Sequence, residues 1–123
     1  MLGYYAINAH AIEAKELPAD LTHKAPKHGN LPAAYLSIIG VDSCVQGQGL
    51  GQVLMVDALE RLAALSRQIG LAVVILDVLD DGGKTAMNRR RRFYERMGFQ
   101  AMPGRAQRMF IQIKTIRAAL DRP

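Results

Sequence analysis

Along the chain the spacing of apolar positions changes several times, and each change marks an element. Residues 2–12 are apolar and rich in Tyr, Ile and Ala, which predicts an opening strand. Residues 16–32 (ELPADLTHKAPKHGNLP) hold three prolines and a glycine and predict an irregular connection, with one short helical turn at 19–24. Residues 33–41 (AAYLSIIGV) read as a strand. From there Leu50, Leu54, Ala58, Leu62, Leu65 and Ile69 recur every three or four positions, one stripe of a long helix, with Gly70 placed as its left-handed C-terminal residue. Residues 71–79 (LAVVILDVL) form a near-continuous apolar run, as expected of a strand covered on both faces. A second helix is predicted from about 85 to 97, stopped by Gly98. Two further strands are predicted at 99–102 and 109–116, joined by a Pro-Gly-Arg turn at 103–105.

This order (strand, loop, helix, strand, helix, strand, strand) is α/β or α+β in character. Its strand-loop-helix-strand unit should be a right-handed parallel crossover. With 123 residues the chain has room for one domain, 1–123. Half the residues are apolar and 22% are charged, a globular rather than disordered composition. No apolar run approaches the roughly 18 residues of a membrane span. The start, MLGYYAIN, has no basic segment before an apolar one, so the expected compartment is the cytoplasm. The single cysteine, Cys44, fits a reducing compartment and reads as a small filler residue. His23 and His28 lack acidic or thiol neighbours, and no metal site is expected.

Charge changes the picture more. The net +5 is concentrated: residues 84–108 carry eight Lys or Arg against one acid, Glu95. Lys24 and Lys27 make a smaller basic group. Such a field draws phosphate-bearing ligands or polyanions, although a solvated helix face would carry the same residues.

The candidate chemistry begins at VQGQGLGQ, residues 45–52, between the second strand and the first long helix. The first-turn amides of a helix have no intrahelical partners, and the macrodipole places about half a positive charge there. Glycines let that backbone approach phosphate oxygens closely. A dinucleotide fingerprint counted from Gly47 puts Gln52 where its third glycine belongs. The Lys-Ser or Lys-Thr pair that a P-loop requires does not follow directly here. What remains is Q-x-x-G-x-G, on Gln46, Gly49 and Gly51.

On these residues the chain resembles the GNAT family of N-acetyltransferases, whose [QR]-x-x-G-x-[GA] motif wraps the pyrophosphate of acetyl-coenzyme A. FYERMGF, residues 93–99, looks like the family's F-Y-x-x-x-G-F, in the right order about forty residues on. The resemblance implies a GNAT-type acyl-CoA N-acyltransferase fold, a central mixed sheet with helices on both faces. It also implies that the family's first strands and helices are missing, since the chain starts where the third strand is expected. It implies a donor site built from Gln46, Gly47, Gln48, Gly49, Leu50 and Gly51, with Ile39, Gly40 and Val41 meeting the pantetheine arm and acetyl carbonyl through backbone groups. Tyr94 matches the tyrosine that protonates the departing thiolate; the alternative is a packed helix residue. Asp42 is a weak candidate for a base.

The subgroup it looks most like is the acetyltransferase toxins of toxin-antitoxin pairs, on LGYYAI, VQGQGLG and RMFIQIKTI. That likeness implies aminoacyl-tRNA as acceptor, with Arg89, Arg90, Arg91, Arg92, Lys24 and Lys27 as phosphate contacts, and a ribbon-helix-helix antitoxin as partner. An exposed edge beside residues 2–12 would invite a homodimer. Three alternatives stand beside this reading: a small-molecule or protein amine acetyltransferase, a non-catalytic coenzyme A-binding remnant, and a nucleic-acid-binding remnant.

Overall fold

The computed structural model describes residues 4–18, 30–39, 49–79, 82–105 and 107–121. The elements run β1 (Tyr4–Glu13), a 3-10 turn (Ala14–Glu16), β2 (Asn30–Ile39), α1 (Leu50–Leu65), β3 (Val73–Asp77), α2 (Gly83–Arg96), β4 (Gln100–Ala101), β5 (Arg108–Gln112) and α3 (Ile113–Leu120). The five strands form one mixed sheet in the order β1-β2-β3-β5-β4. The β2–β3 pair is the parallel one, as the crossover around the glycine loop requires, and the others are antiparallel.

Strand alternation sorts the core into two layers. Ala34, Leu36, Val74, Leu76, Met109 and Ile111 point to one face, where Met55, Ala58, Leu59, Leu62 and Ala63 of α1 and Ile113 and Ile116 of α3 cover them. Met87, Phe93, Tyr94 and Met97 of the α2 segment pack on the same layer. The opposite face presents Ala33, Val73, Ile75 and Phe110, closed by Ile12, Leu17 and Met102. Apolar but for Asp77 at its end, β3 is buried from both sides over Val73 to Leu76, as its sequence predicts. Among the described residues no helix is long and apolar enough to cross a membrane.

Several expectations need correction. Residues 30–32 belong to β2 rather than to the irregular connection. Pro32 fits there because its carbonyl, accepting from the Ala72 N–H, turns that residue's backbone toward β3 rather than β1, and the β2–β3 ladder begins only at Ala33, so no ladder bond needs its missing N–H. Helix α1 ends at Leu65, and Leu65 and Ile69 are exposed. The buried stripe runs instead through Met55, Ala58, Leu59, Leu62, Ala63 and Ser66. Gly70 is not in the left-handed region, because Ser66 closes the helix in right-handed geometry and a tight turn follows. The strand predicted at 109–116 stops at Gln112. Residues from Ile113 onward are helical because burying Ile113 and Ile116 together requires a three-residue spacing. Helix α2 starts two residues earlier than expected, at Gly83. The helical turn expected at 19–24 lies outside the described residues.

Candidate functional site

The site forms where the sheet opens. Strand β2 pairs with β1 over its whole length, from Asn30 to Ile39. Against β3 it pairs only from Ala33 to Tyr35, although β3 runs on to Asp77. The two parallel strands therefore part beyond Tyr35, leaving a wedge whose cavity, about 170 Å³, is lined by Tyr35, Leu36, Ser37, Leu76, Asp77, Leu79 and Tyr94. Ile39, the last residue of β2, lies on the parted stretch. Gly40 and Val41 lie outside the described residues, as do Asp42, Cys44, Gln46, Gly47 and Gln48.

At the end of the loop, Gly49 is the N-cap of α1, with φ 82° and ψ 6°, a left-handed conformation that suits glycine. The first amide to find a helical partner is that of Val53, which donates to the Gly49 carbonyl at 3.1 Å. The amides of Leu50, Gly51 and Gln52 precede it in the first turn, where helix geometry leaves them without one. Among the described residues no side chain caps them. That is the donor set a pyrophosphate needs. A Cβ on Gly51 would lie 3.9 Å from Phe93 Cζ, which brings the glycine motif against the aromatic motif of α2.

The FYERMGF segment ends α2 in a Schellman motif. Gly98 N–H donates to the Glu95 carbonyl and Phe99 N–H to the Tyr94 carbonyl, with Gly98 at φ 104°. Phe99 is buried as a result, and Phe93 and Phe99 meet the Tyr94 ring edge-on at 5.5 and 6.1 Å. Tyr94 is thus held by packing and aimed into the wedge. Burial pushes its hydroxyl pKa above the ordinary phenol value, and the positive charge of Arg90 offsets only part of this. The phenol stays protonated at neutral pH and can give a proton to a developing anion.

On the sheet face away from the helices, three strands contribute one polar network. The Tyr35 hydroxyl donates to Asp77 Oδ2 at 2.8 Å. Arg108, the register partner of Asp77, forks onto Oδ1 and Oδ2 at 2.9 and 3.0 Å and lies over the Tyr35 ring. Arg108 holds the Asp77 carboxyl below the usual carboxylate range, while burial and then Asp77 push the Tyr35 hydroxyl up. Sequence reading missed this network. Its members lie 42 and 31 positions apart and meet only through strand register.

The four consecutive arginines diverge around α2. Arg90 donates to the Leu79 carbonyl at 2.9 Å and ties the helix to the chain leaving β3. Arg91 is half-buried and also engaged. Arg89 and Arg92 are exposed, and Arg96, one turn further, continues their stripe. Lys24 and Lys27 lie outside the described residues. Among the described residues no cluster of His, Cys, Asp or Glu could hold a metal ion.

Comparison with known proteins matches residues 9–101 to the family described as the acetyltransferase (GNAT) domain. The chain is 44% identical, over 98% of its length, to a probable toxin TacT of Sinorhizobium fredii (strain NBRC 101917 / NGR234). It is 27% identical over 98% of its length to a tRNA-acetylating toxin of Mycobacterium tuberculosis (strain ATCC 25618 / H37Rv). Among solved structures, AtaT complexed with acetyl-methionyl-tRNAfMet superimposes with a TM-score of 0.81 at 24% identity, over 97% of this chain and 66% of that one. The chain spans 66% and 67% of the lengths of these two toxins.

Proposed function

Since the chain belongs to the GNAT acetyltransferase family, we infer that it moves an acetyl group from acetyl-coenzyme A to the amino group of aminoacyl-tRNA. The observation that carries this is the wedge between β2 and β3, with a protonated Tyr94 lining it and the first turn of α1 brought against the neighbouring Phe93 at Gly51. The toxin relatives supply the acceptor class. The pyrophosphate of the donor sits on the first-turn amides after Gly49, together with Gln46, Gly47 and Gln48. Its pantetheine arm follows the parted edge of β2 toward Ile39, Gly40 and Val41. The acceptor amine attacks the thioester carbon, so that an N–C bond forms and the C–S bond breaks. The thiolate takes a proton from Tyr94 and the amine loses one to water. Holding both substrates in line contributes most of the acceleration, and Tyr94 adds the proton.

The exposed stripe of Arg89, Arg92 and Arg96 on α2 is the surface for tRNA phosphates. Arg90 ties the helix that carries it to the chain leaving β3. The outer edge of β1, which pairs with no strand among the described residues, supports a homodimer. A ribbon-helix-helix antitoxin as partner and the cytoplasm as compartment belong to the same reading. The test is transfer of labelled acetyl from acetyl-coenzyme A to charged tRNA, beside simple amines and protein lysines. Label on the aminoacyl group is the expected result. Label only on small amines or lysines replaces the acceptor, and no transfer to any of them overturns the reading.

A further inference from the structure

We propose that Tyr35, Asp77 and Arg108 form a positioning network that presents the Tyr35 oxygen to the acceptor amine. The inference rests on the acetyl-transfer reading above. Tyr35 is the last residue of β2 paired with β3, and beyond it the strands part. At that fork the backbone ladder is replaced by side chains reaching across three strands, from Tyr35 to Asp77 to Arg108. Tyr35, Asp77 and Tyr94 line one cavity. Tyr94 enters from the helix-covered face and Tyr35 from the other, so the wedge is flanked by two phenols with different surroundings.

Those surroundings decide what each can do. Asp77 Oδ1 accepts from Arg108 Nε, and Oδ2 accepts from both Tyr35 and Arg108. A carboxylate so filled, and held below its usual range, is a poor base. The Tyr35 hydroxyl, held above its usual range, does not ionise near neutrality. Neither group removes the amine proton. What remains is orientation. A hydroxyl that gives its proton to a carboxylate is polarised toward it, and its lone pairs become better acceptors. An amine N–H bonded to the Tyr35 oxygen leaves the nitrogen lone pair free to face the thioester carbon. Arg108 acts at one remove, by fixing the carboxylate that fixes the hydroxyl.

The experiment is steady-state acetyl transfer to aminoacyl-tRNA across pH, for the whole protein and for Tyr35→Phe, Asp77→Asn, Arg108→Ala and Arg108→Lys. Tyr35→Phe keeps the ring and is expected to lower kcat/KM for the acceptor roughly tenfold, the loss of about one hydrogen bond. The Tm rise produced by acetyl-coenzyme A should stay unchanged, which shows the variant folded and loaded. The shape of the pH profile should also stay unchanged. Asp77→Asn should move the acceptor kcat/KM in the same direction, and combining it with Tyr35→Phe should add little. Arg108→Lys, which keeps the charge, should recover part of the loss measured for Arg108→Ala. Unchanged acceptor kcat/KM in Tyr35→Phe, with the original protein active, overturns the network alone. A shifted pH profile overturns it in favour of a base. An original protein that transfers no acetyl overturns the functional reading and the network with it.

Discussion

Two glycines of one motif are expected to respond oppositely to the same substitution. Gly49 is left-handed, at φ 82°, and a Cβ placed on it would meet nothing within 4 Å. The penalty of Gly49→Ala is therefore backbone strain alone, about 1 kcal/mol. Gly51 lies two residues on, inside α1, with no positive φ. Its added methyl would reach Phe93 Cζ at 3.9 Å, an ordinary contact. Gly51→Ala removes the conformational freedom of a helical glycine from the unfolded chain, a gain of about 0.5 kcal/mol near a helix end. For a domain of this size about 1 kcal/mol moves Tm by roughly 4 °C. Thermal unfolding followed by circular dichroism should then show Gly49→Ala about 4 °C lower and Gly51→Ala about 2 °C higher. Because the family motif admits alanine at the second position, Gly51→Ala should keep the Tm rise given by acetyl-coenzyme A. A higher Tm for Gly49→Ala, or a lower one for Gly51→Ala, would refute the separation of a glycine required by its backbone conformation from one that is not.

Tyr94→Phe should retain the acetyl-coenzyme A-induced Tm rise while lowering kcat by about 100-fold, within the usual range for general-acid catalysis; turnover equal to the original removes Tyr94 from the mechanism. Because the carboxyl pKa of Asp77 is lowered by Arg108, its contribution to stability is present in full above about pH 4 and lost as pH falls through the lowered value. The Tm difference between the original and Asp77→Asn should accordingly shrink on acidification below pH 4, and a difference constant down to pH 2.5 would contradict the assignment. Arg92→Ala and Arg96→Ala should each weaken tRNA binding and reduce the slope of log K against log salt by about one, measured by filter binding. A binding curve insensitive to both substitutions would locate the RNA elsewhere.

How much of this was legible beforehand depended on whether the signal was local. The FYERMGF motif was readable because its glycine, its buried Phe99 and its helix end form one short capping unit. The β3 run was readable because burial on both faces leaves no polar position until Asp77. The α3 helix was not. Ile111, Ile113 and Ile116 continue an apolar pattern across the strand-to-helix change, and Gln112 at the N-cap makes no side-chain cap. No glycine or proline marks the boundary. The end of α1 was misplaced because a narrow stripe of large residues was followed, while the buried face includes Ala63 and Ser66. Ser66 is buried with its hydroxyl given to the Ala63 carbonyl and receiving Arg117, a contact that only the packing of α3 creates. The Tyr35–Asp77–Arg108 network had no local signature at all.

The fork in the sheet also bears on how the molecule comes apart. Ten register pairs join β1 to β2 and five join β3 to β5, whereas three join β2 to β3. The sheet is two halves, β1–β2 and β3–β5–β4, whose backbone seam is short and whose core under α1 runs across it through Ala34, Leu36, Val74 and Leu76. A ligand lying along the open end touches both halves and supplies cohesion the backbone does not. Amide exchange at the seam should slow on binding more than exchange within either half, and unfolding should become more cooperative. In this architecture the proposed donor site and the shortest backbone pairing among the long strands fall at one place.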